Sequence, residues 1–372
     1  MMRIGFVGWR GMVGSVLINR MIEEDDFKKI EPVFFSSSNA GGKSPDIKGA
    51  EPLLQDAFDI KKLADLKVIV SCFGGDYTKK VYKKIRSAGW KGYWIDAASA
   101  LRLDKKSIIV LDPVNKKVIN KGLETGIKTF VGGNCTVSLM LMALSGLFKS
   151  GYIEWLSTMT YQSASGAGAK NMTELIKQTG FLCKSAEPIL NNPAATAIEL
   201  DQLISEKIES KNFPIKNFGA PLACSLIPWI DSGMESGQTK EEWKGFVETN
   251  KILKANPPIP IDGICVRVGV MRCHSQAVTI KLNKNIPIAD IIEIIKNGNN
   301  WVKIIPNQKA STLESLTPAA VSGKLTVPIG RIRKMSIGDK YLTAFTVGDQ
   351  LLWGAAEPLR RALKIIIRHI SG

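Results

Sequence analysis

A glycine-rich turn near the N-terminus constrains the fold more than any other feature of this chain. Residues 3–7 have the apolar character of a short buried strand, and Gly8, Gly11 and Gly14 lead from it into a helix predicted over residues 15–23. This order forms a G-x-x-G-x-x-G variant of the dinucleotide-binding fingerprint, in which glycines let the backbone approach a pyrophosphate at a helix N-terminus. The alternative is a tight strand-to-helix turn that binds no ligand.

The residues after the second predicted strand indicate which dinucleotide would bind. An NAD-preferring fold places Asp or Glu about 20 residues after the glycines, where it holds the ribose hydroxyls. Here the strand at residues 32–35 is followed by Ser36, Ser37 and Ser38, and Arg10 lies in the glycine turn. Hydroxyls and a guanidinium suit a 2′-phosphate, so the pattern favours NADP over NAD. Serines at the end of a strand are also common loop residues.

The distribution of predicted strands and helices divides the chain into two domains, as a length of 372 residues leads us to expect. Short apolar strands that alternate with helices or turns up to residue 131 predict a mostly parallel sheet covered on both faces. Beyond residue 155, strands at 158–162, 265–271 and 277–282 accompany long helices at 171–181 and 195–209. This change predicts an α+β domain with a mixed or antiparallel sheet.

We therefore predict an α/β Rossmann-type nucleotide-binding domain over residues 1–133 and an α+β catalytic domain over residues 134–354. The last helix, predicted over residues 355–372, has one apolar face and is expected to complete the first domain.

Cys135 is the strongest candidate for a nucleophile. The segment Gly132-Gly133-Asn134-Cys135-Thr136 follows a predicted strand and precedes an apolar helical pattern. Asn134 is a good N-cap, so Cys135 should lie in the first helical turn, where free N–H groups favour an anion. Such positions can lower a thiol pKa from about 8.5 to roughly 3.5–7.5, which predicts a thiolate at neutral pH. A small buried cysteine without a chemical role is the alternative.

A nucleophilic cysteine needs a base within reach, and the chain contains only two histidines. His369 lies three residues from the C-terminus on a basic helix face, where we expect it to be solvated. His274 lies between two predicted strands, a suitable place for a group that exchanges protons near neutral pH. A histidine that is only hydrogen-bonded in the core is the alternative.

Charged residues near these candidates suit a carboxylate substrate. Arg267 lies on an apolar strand, where its charge needs a partner, either a bound carboxylate or a neighbouring Asp or Glu. Glu241 and Lys244 are three residues apart on a predicted helix, a spacing that more often marks a surface ion pair.

Composition excludes several classes of protein. The net charge of +16 comes from lysines and arginines spread along the chain without interleaved aromatic residues, so we expect a solvated basic surface and no nucleic-acid partner. The six cysteines form no C-x-x-C pair, which favours a reduced, cytoplasmic protein. The longest apolar stretch, after Cys135, is too short to span a bilayer, and no metal-binding cluster is apparent.

Taken together, these motifs resemble those of bacterial aspartate-semialdehyde dehydrogenases over nearly the whole chain. The segments that carry the resemblance are Gly8–Gly14, Gly132–Val137, Thr160–Gln162, Glu241–Lys244, Arg267–His274 and Phe345–Gln350. The resemblance implies a homodimeric enzyme that reduces L-aspartyl 4-phosphate with NADPH to L-aspartate 4-semialdehyde and phosphate. This reaction would serve lysine, threonine and methionine biosynthesis.

The resemblance also implies roles for individual residues. Cys135 would form an acyl thioester, His274 would be the acid/base group, and Gln162 would orient the substrate carbonyl. Arg267 and Glu241 would hold the carboxylate and amino group of the substrate. Phosphate would be held by Arg102, Asn134 and Lys244. The NADP site would be lined by Gly8, Arg10, Gly11, Met12, Val13, Ser37, Ser38, Phe73, Ser165, Gly166, Pro193 and Gln350.

Two positions depart from the pattern of the family: Phe73 stands where Gln is expected, and Ala167 where another Gly is expected. Neither position touches the thiol chemistry.

Two alternative functions remain open from the sequence. One is a different acyl-phosphate reductase, of the N-acetylglutamyl-phosphate or glyceraldehyde-3-phosphate type. The other is a nucleotide-binding protein without catalytic activity that uses its basic surface on nucleic acid.

Overall fold

The computed structural model describes residues 1–372 and contains two seven-stranded sheets. The first sheet is parallel throughout, in the order β3-β2-β1-β4-β5-β7-β6. Its strands are β1 (Met2–Val7), β2 (Ile30–Ser36), β3 (Gln55–Asp56), β4 (Val68–Ser71), β5 (Tyr93–Asp96), β6 (Ser107–Val110) and β7 (Thr129–Gly132). The helices that connect them are α1 (Met12–Glu23), α2 (Ile60–Ala64), α3 (Gly75–Ser87) and α4 (Asp112–Glu124).

The second sheet is mixed, in the order β12-β13-β14-β11-β8-β10-β9. Its strands are β8 (Ile153–Gln162), β9 (Leu226–Ile227), β10 (Ile261–Val268), β11 (His274–Leu282), β12 (Val302–Ile304), β13 (Val327–Met335) and β14 (Gly338–Gly348). The remaining helices are α5 (Cys135–Ser150), α6 (Ala169–Leu190), α7 (Ala197–Glu209), α8 (Lys240–Leu253), α9 (Ile288–Lys296), α10 (Lys309–Ser315), α11 (Pro318–Val321) and α12 (Glu357–Ser371). A Rossmann-type domain joined to an α+β domain with a mixed sheet is confirmed.

Helix α5 connects the two sheets and is the most enclosed helix of the molecule. Every residue from Thr136 to Phe148 is buried. Its apolar side chains share one core with α9 and the second sheet, which is the environment expected for a helix that is apolar on all sides. The N-terminus of this buried helix is the place where Cys135 lies, so the position of the thiol is fixed by extensive packing.

Helix α12 returns the chain to the first sheet. Leu359, Leu363 and Ile366 lie in the same core as the apolar side chains of α1 and β1. On its polar side, Arg360 forms ion pairs with Asp26 at 2.5 Å and with Glu357 at 2.7 Å. The apolar stripe read from the sequence therefore covers a face of the parallel sheet.

Several elements have different bounds from those predicted. Helix α6 was predicted to end at residue 181 but continues to Leu190 through Pro188, which leaves an exposed Cys183 on its surface. Helix α7 begins after Thr196, whose hydroxyl and Glu199 form a capping box, rather than at residue 195. Strand β8 begins five residues earlier than predicted, at Ile153. No helix of the structure is both long enough and apolar enough to cross a membrane.

Candidate active site

Cys135 and His274 lie in contact, although they are far apart in the sequence. The Asn134 side chain caps α5 by accepting hydrogen bonds from the N–H groups of Thr136 at 3.0 Å and Val137 at 3.2 Å. Cys135 is therefore the first residue of the helix, as the sequence predicts. His274 begins β11 and is buried, and its Nε2 lies 3.2 Å from the Cys135 Sγ. The two side chains form a thiol–imidazole pair within hydrogen-bond distance.

The pair is neutral in this structure, so the predicted thiolate with a lowered pKa is wrong for this state. Burial raises the pKa of the Cys135 thiol to about 12, and Glu241 adds to this, against Arg102, Arg267 and Lys244. Burial and the nearby Arg267 lower the pKa of His274 to about 3. Because desolvation penalises both charged forms, it outweighs the helix N-terminus that the sequence pattern emphasised.

Glu241 is the centre of a buried hydrogen-bond network beside the thiol. Its Oε1 accepts from the side-chain amides of Asn134 at 2.9 Å and Gln162 at 3.1 Å, and its Oε2 lies 2.9 Å from the Lys244 Nζ. Burial alone would raise the pKa of Glu241, but Lys244 and these amides outweigh it and hold the pKa below its ordinary value. The Glu241–Lys244 pair is thus enclosed in a cleft and is not the surface ion pair that the spacing suggested.

Arg267 is buried without a carboxylate partner. Its Nη1 donates to the Ser163 carbonyl at 2.7 Å and to the Gln162 Oε1 at 3.4 Å, and it forms no ion pair with Asp or Glu. Burial lowers the pKa of Arg267, while the neighbouring Cys135 and Glu241 act in the opposite direction. These protein contacts use only Nη1 of the guanidinium, and its Nε and Nη2 make no hydrogen bond within the protein.

The counter-charge of the buried Arg102 is Glu248, a residue that the sequence patterns did not indicate. Arg102 Nη1 lies 3.2 Å from Glu248 Oε1, and the backbone N–H of Asn134 donates to Glu248 Oε2 at 2.7 Å. Glu248 therefore holds both a cation of the cleft and the residue that caps α5. It lies one and two turns beyond Lys244 and Glu241 on α8, a helical spacing that could have revealed it.

We expect Glu248→Gln to lower the free energy of unfolding by about 3 kcal/mol, because the buried Arg102 would lose its counter-charge. Denaturant unfolding measures this change. The control is Glu293→Gln, which breaks an exposed ion pair with Lys296 on α9 and should leave stability unchanged. Equal effects of the two substitutions would contradict the structural role of Glu248.

A cleft of about 380 Å³ lies between the two sheets and is lined by Arg102, Asn134, Cys135, Glu241 and Lys244. The predicted site residues Gln162, Arg267 and His274 are buried beside this cleft and are not part of its lining. Its walls combine the first turn of α1 with the Cys135 segment and the loop after β8. The predicted site residues on these walls are Met12, Val13, Arg102, Asn134, Cys135, Ser165, Gly166, Glu241, Lys244 and Gln350. A Cβ built on Gly166 would lie 2.8 Å from Arg267 Nη1 and 3.1 Å from His274 Cε1, so any other residue here would push these two side chains from their positions.

A second cleft, of about 360 Å³, begins on the other side of the glycine turn. It is lined by Gly8, Trp9, Arg10, Gly11, Phe35, Ser36, Ser37, Ser38, Cys72 and Phe73. Gly8 has φ of +74°, and a Cβ there would lie 2.6 Å from the backbone N of Phe73, so the turn requires glycine. Arg10 Nη2 lies 3.2 Å from Ser36 Oγ and 3.3 Å from Ser38 Oγ. A guanidinium and three hydroxyls therefore surround one end of this cleft.

Not every predicted cofactor residue reaches these clefts. Pro193 lies in the exposed loop between α6 and α7 and lines neither of them. Phe73 lies on the wall of the second cleft with its ring 5.0 Å from that of Tyr77, so this wall is aromatic. Ser36, which was read only as part of a serine run, contacts Arg10 directly.

A parallel sheet with a glycine turn, joined to a second domain that holds a Cys–His pair, is an arrangement typical of nicotinamide-dependent dehydrogenases. Comparison with known proteins narrows this class. Residues 3–122 match the family model described as "Semialdehyde dehydrogenase, NAD binding domain", and residues 144–353 match "Semialdehyde dehydrogenase, dimerisation domain".

Solved structures show the same relationship over the full length. The aspartate semialdehyde dehydrogenase of Francisella tularensis is 50% identical, with a TM-score of 0.94 over 99% of this chain and 100% of that one. Aspartate semialdehyde dehydrogenase II of Vibrio cholerae, solved as a complex with ASA, is 24% identical, with a TM-score of 0.79 over 99% and 98% of the chains. The Candida albicans enzyme, solved with NADP, is 16% identical, with a TM-score of 0.68 over 100% and 99%; these two show a shared fold.

The chain belongs to the aspartate-semialdehyde dehydrogenase family. It is therefore a phosphorylating dehydrogenase that uses a nicotinamide cofactor.

Proposed function

We propose that this enzyme catalyses the NADPH-dependent reductive dephosphorylation of L-aspartyl 4-phosphate to L-aspartate 4-semialdehyde and phosphate, through an acyl thioester on Cys135. The observation that carries the proposal is the 3.2 Å contact between Cys135 Sγ and His274 Nε2 at the start of α5. Cys135 and Glu241 line the cleft there, and Arg267 is buried beside it without a carboxylate partner. The 50% identity to the Francisella tularensis enzyme supports this substrate.

In this proposal Cys135 attacks the acyl phosphate, and phosphate leaves with the electron pair of the broken C–O bond. His274 is the acid/base group beside the sulfur, and Gln162 orients the carbonyl that reacts. The nicotinamide cofactor, when bound, supplies the hydride that reduces the thioester. The tetrahedral oxyanion then lies at the N-terminus of α5, where the helix dipole stabilises a negative charge; the N–H groups of Thr136 and Val137 are already bonded to the Asn134 cap.

The polar groups of the cleft divide between the two ends of the substrate. Arg267 binds the α-carboxylate through Nε and Nη2, and Glu241 accepts hydrogen bonds from the α-ammonium group. Arg102, Asn134 and Lys244 bind phosphate. The opposite signs of Arg267 and Glu241 match a free amino acid, whereas an N-acetylated substrate would present no cation to Glu241.

The cofactor is NADP, held along the glycine turn between the two clefts. Gly8, Gly11, Met12 and Val13 contact it along the turn, and Arg10, Ser37 and Ser38 bind the 2′-phosphate. Phe73 borders the same cleft, while Ser165, Gly166 and Gln350 lie in the cleft that contains the thiol. Pro193 would contact it only if its loop moved toward a cleft.

We expect Arg10→Met to raise KM for NADP by about tenfold to hundredfold and to leave KM for NAD unchanged, since one charge-assisted contact is lost. Steady-state kinetics with both cofactors measures the difference. Arg3→Met removes a guanidinium of β1 that pairs with Glu51, and it serves as the control. A parallel rise for NAD and NADP would mean that Arg10 does not read the 2′-phosphate.

The enzyme acts as a homodimer through one face of the second sheet. Met159, Tyr161 and Ile264 are exposed there on the neighbouring strands β8 and β10, and the Phe345 ring of β14 lies 6.4 Å from that of Tyr161. A contiguous apolar sheet face of this kind is typical of a protein interface. The description of the matching model as a dimerisation domain agrees with this proposal.

We expect Ile264→Lys to shift the protein from dimer to monomer, because a two-fold interface would bury the new charge twice. Light scattering after size-exclusion chromatography measures the mass. Ile22→Lys is the control, since Ile22 is equally exposed but lies on α1 of the first sheet's domain. A mass that stays dimeric in the Ile264 variant would place the interface elsewhere.

The proposal includes the limits of the two domains and the cellular role of the enzyme. The nucleotide-binding domain comprises residues 1–133 and α12, and the catalytic and dimerisation domain comprises residues 134–354. The enzyme works in the cytoplasm, where its six free cysteines stay reduced, and it serves lysine, threonine and methionine biosynthesis.

Phosphate-dependent reduction of NADP by aspartate semialdehyde tests the function directly. We expect turnover with NADP and phosphate, weaker turnover with NAD, and none without phosphate or arsenate. N-acetylglutamate semialdehyde and glyceraldehyde 3-phosphate are the competing substrates. Preference for either of these would show that the substrate assignment is wrong, even if the thioester chemistry holds.

A further inference from the structure

Two polar atoms of Ser163 lie within hydrogen-bond distance of one nitrogen of His274. The residue follows β8 and is fully buried. Its backbone N lies 3.1 Å from His274 Nδ1, and its Oγ lies 3.0 Å from the same atom. Ser163 does not touch the thiol, but it controls the far side of the imidazole that does.

The backbone contact decides where the imidazole carries its proton. A backbone N–H can only donate, so Nδ1 must present its lone pair to Ser163. In a neutral imidazole the other nitrogen then carries the hydrogen, and Nε2 directs its N–H at the Cys135 sulfur. An imidazolium would set a second N–H at Nδ1 against that of Ser163.

A chain of hydrogen bonds that ends at the Ser163 hydroxyl also directs a donor at His274 Nδ1. Gln350 Nε2 donates to Ser165 Oγ at 2.8 Å, and the Ser165 and Ser163 hydroxyls are 2.8 Å apart. If Ser165 accepts from Gln350 and donates to Ser163, then the Ser163 hydroxyl donates to Nδ1. The fixed N–H of Ser163 and this chain therefore favour the same tautomer.

Ser163 cannot easily turn away from the histidine. Its carbonyl accepts from Arg267 Nη1 at 2.7 Å. The next two residues, Ala164 and Ser165, donate backbone hydrogen bonds to Val270 at 2.7 Å and Met271 at 3.1 Å. The loop after β8 is thus joined to the segment that leads into β11, where His274 lies.

We propose that Ser163 is a positioning residue that keeps the proton of His274 on Nε2, so that His274 acts as a neutral hydrogen-bond donor to the Cys135 sulfur and to the oxyanion formed there. The inference rests on the proposed function and narrows the acid/base role given above to donation. It adds Ser163 to the residues on which the reaction depends.

The bond changes of the reaction are compatible with a donor that stays neutral. After the thiol has lost its proton to solvent, the Cys135 thiolate forms the C–S bond and phosphate leaves with the C–O electron pair. Hydride addition gives the oxyanion, and re-formation of the carbonyl breaks the C–S bond and returns the electron pair to sulfur. No net proton passes through the sulfur in a turnover, so one N–H group can stabilise each anion in turn.

Nitrogen NMR tests the tautomer without any assay of activity. The probe is the full-length His369→Gln protein with ¹⁵N-labelled imidazole, which leaves His274 as the only histidine; His369 is exposed on α12. Between about pH 6 and pH 9 we expect an unprotonated Nδ1 and a protonated Nε2. A protonated Nδ1, or an imidazolium in this range, would overturn the proposal.

Substitutions of Ser163 test separately whether its hydroxyl stabilises the neutral imidazole of His274. Ser163→Ala removes the hydroxyl and keeps the backbone N–H, so we expect the same tautomer, with imidazolium appearing about one pH unit higher. Ser163→Thr should restore the original titration. The charged groups around the imidazole, Arg267 on β10 and Glu241 on α8, and the Cys135 thiol on α5 are the same in all three proteins.

If His274 titrates at the same pH in Ser163→Ala as in the native protein, the Ser163 hydroxyl does not hold the tautomer, and that part of the proposal is wrong. The two hypotheses fail in different ways: a protein with the expected tautomer that does not turn over aspartate semialdehyde contradicts the proposed function alone.

Discussion

Replacement of Cys135 by Ser is expected to lower kcat by at least about 10³-fold, to the limit of detection in a standard assay. An alcohol ionises far less readily than a thiol, so the oxygen that replaces Sγ would be a poor nucleophile toward either the acyl phosphate or the aldehyde. The fold should be unchanged, because Asn134 still caps α5 and the replacement is close to isosteric. Steady-state reduction of NADP by aspartate semialdehyde measures the loss.

The control for this substitution is Cys183→Ser, which alters an exposed cysteine on α6. It should retain the activity of the native protein. A Cys135→Ser enzyme with more than about a tenth of native kcat would contradict covalent catalysis, since a loss of that size is too small for an essential nucleophile.

Replacement of His274 by Gln is expected to lower kcat by about 10²- to 10⁴-fold, with a smaller change in KM. The amide of Gln also carries N–H groups, but it lacks the ring nitrogen Nδ1 through which Ser163 holds the imidazole, so it does not keep a donor aligned 3.2 Å from the sulfur. His369→Gln changes the only other histidine and should leave both constants as they are. Equal losses in the two variants would show that His274 has no special role.

The pH dependence of the free energy of unfolding in His274→Gln tests the electrostatics of the site. The folded-state pKa of His274 is about 3, below the ordinary value of 6.5. The unfolded chain therefore binds more protons between these values, and this group lowers the stability of the native protein as the pH falls below about 6.5. His274→Gln should lose less unfolding free energy than the native protein between pH 6.5 and about pH 4.5, which is the upper part of the range between the two pKa values.

Local sequence patterns were sufficient for the residues whose roles depend on a single element. The glycine turn predicted a strand, a close backbone approach and a helix, and the structure has all three at residues 2–23. Asn134 before an apolar helix predicted the cap of α5 and so the position of Cys135. These inferences succeed because capping and glycine turns are determined by neighbours in the chain.

Local sequence patterns could not predict roles that depend on contacts between separate strands and helices. Ser163 and Glu248 matter because β8 lies beside the segment leading to β11, and because α8 reaches the start of α5. The charge state of Cys135 was predicted wrongly for the same reason. The helix terminus was visible in the sequence, but the depth of burial that raises the thiol pKa was not.

The most direct test of the central claim is to isolate the covalent enzyme. In the absence of phosphate, aspartate semialdehyde and NADP should give a burst of NADPH of about one equivalent per active site, because the thioester forms and its acceptor is missing. Mass spectrometry of the quenched protein should then find one aspartyl group, attached to the peptide that contains Cys135. A burst without an adduct, or an adduct on any other residue, would contradict the account.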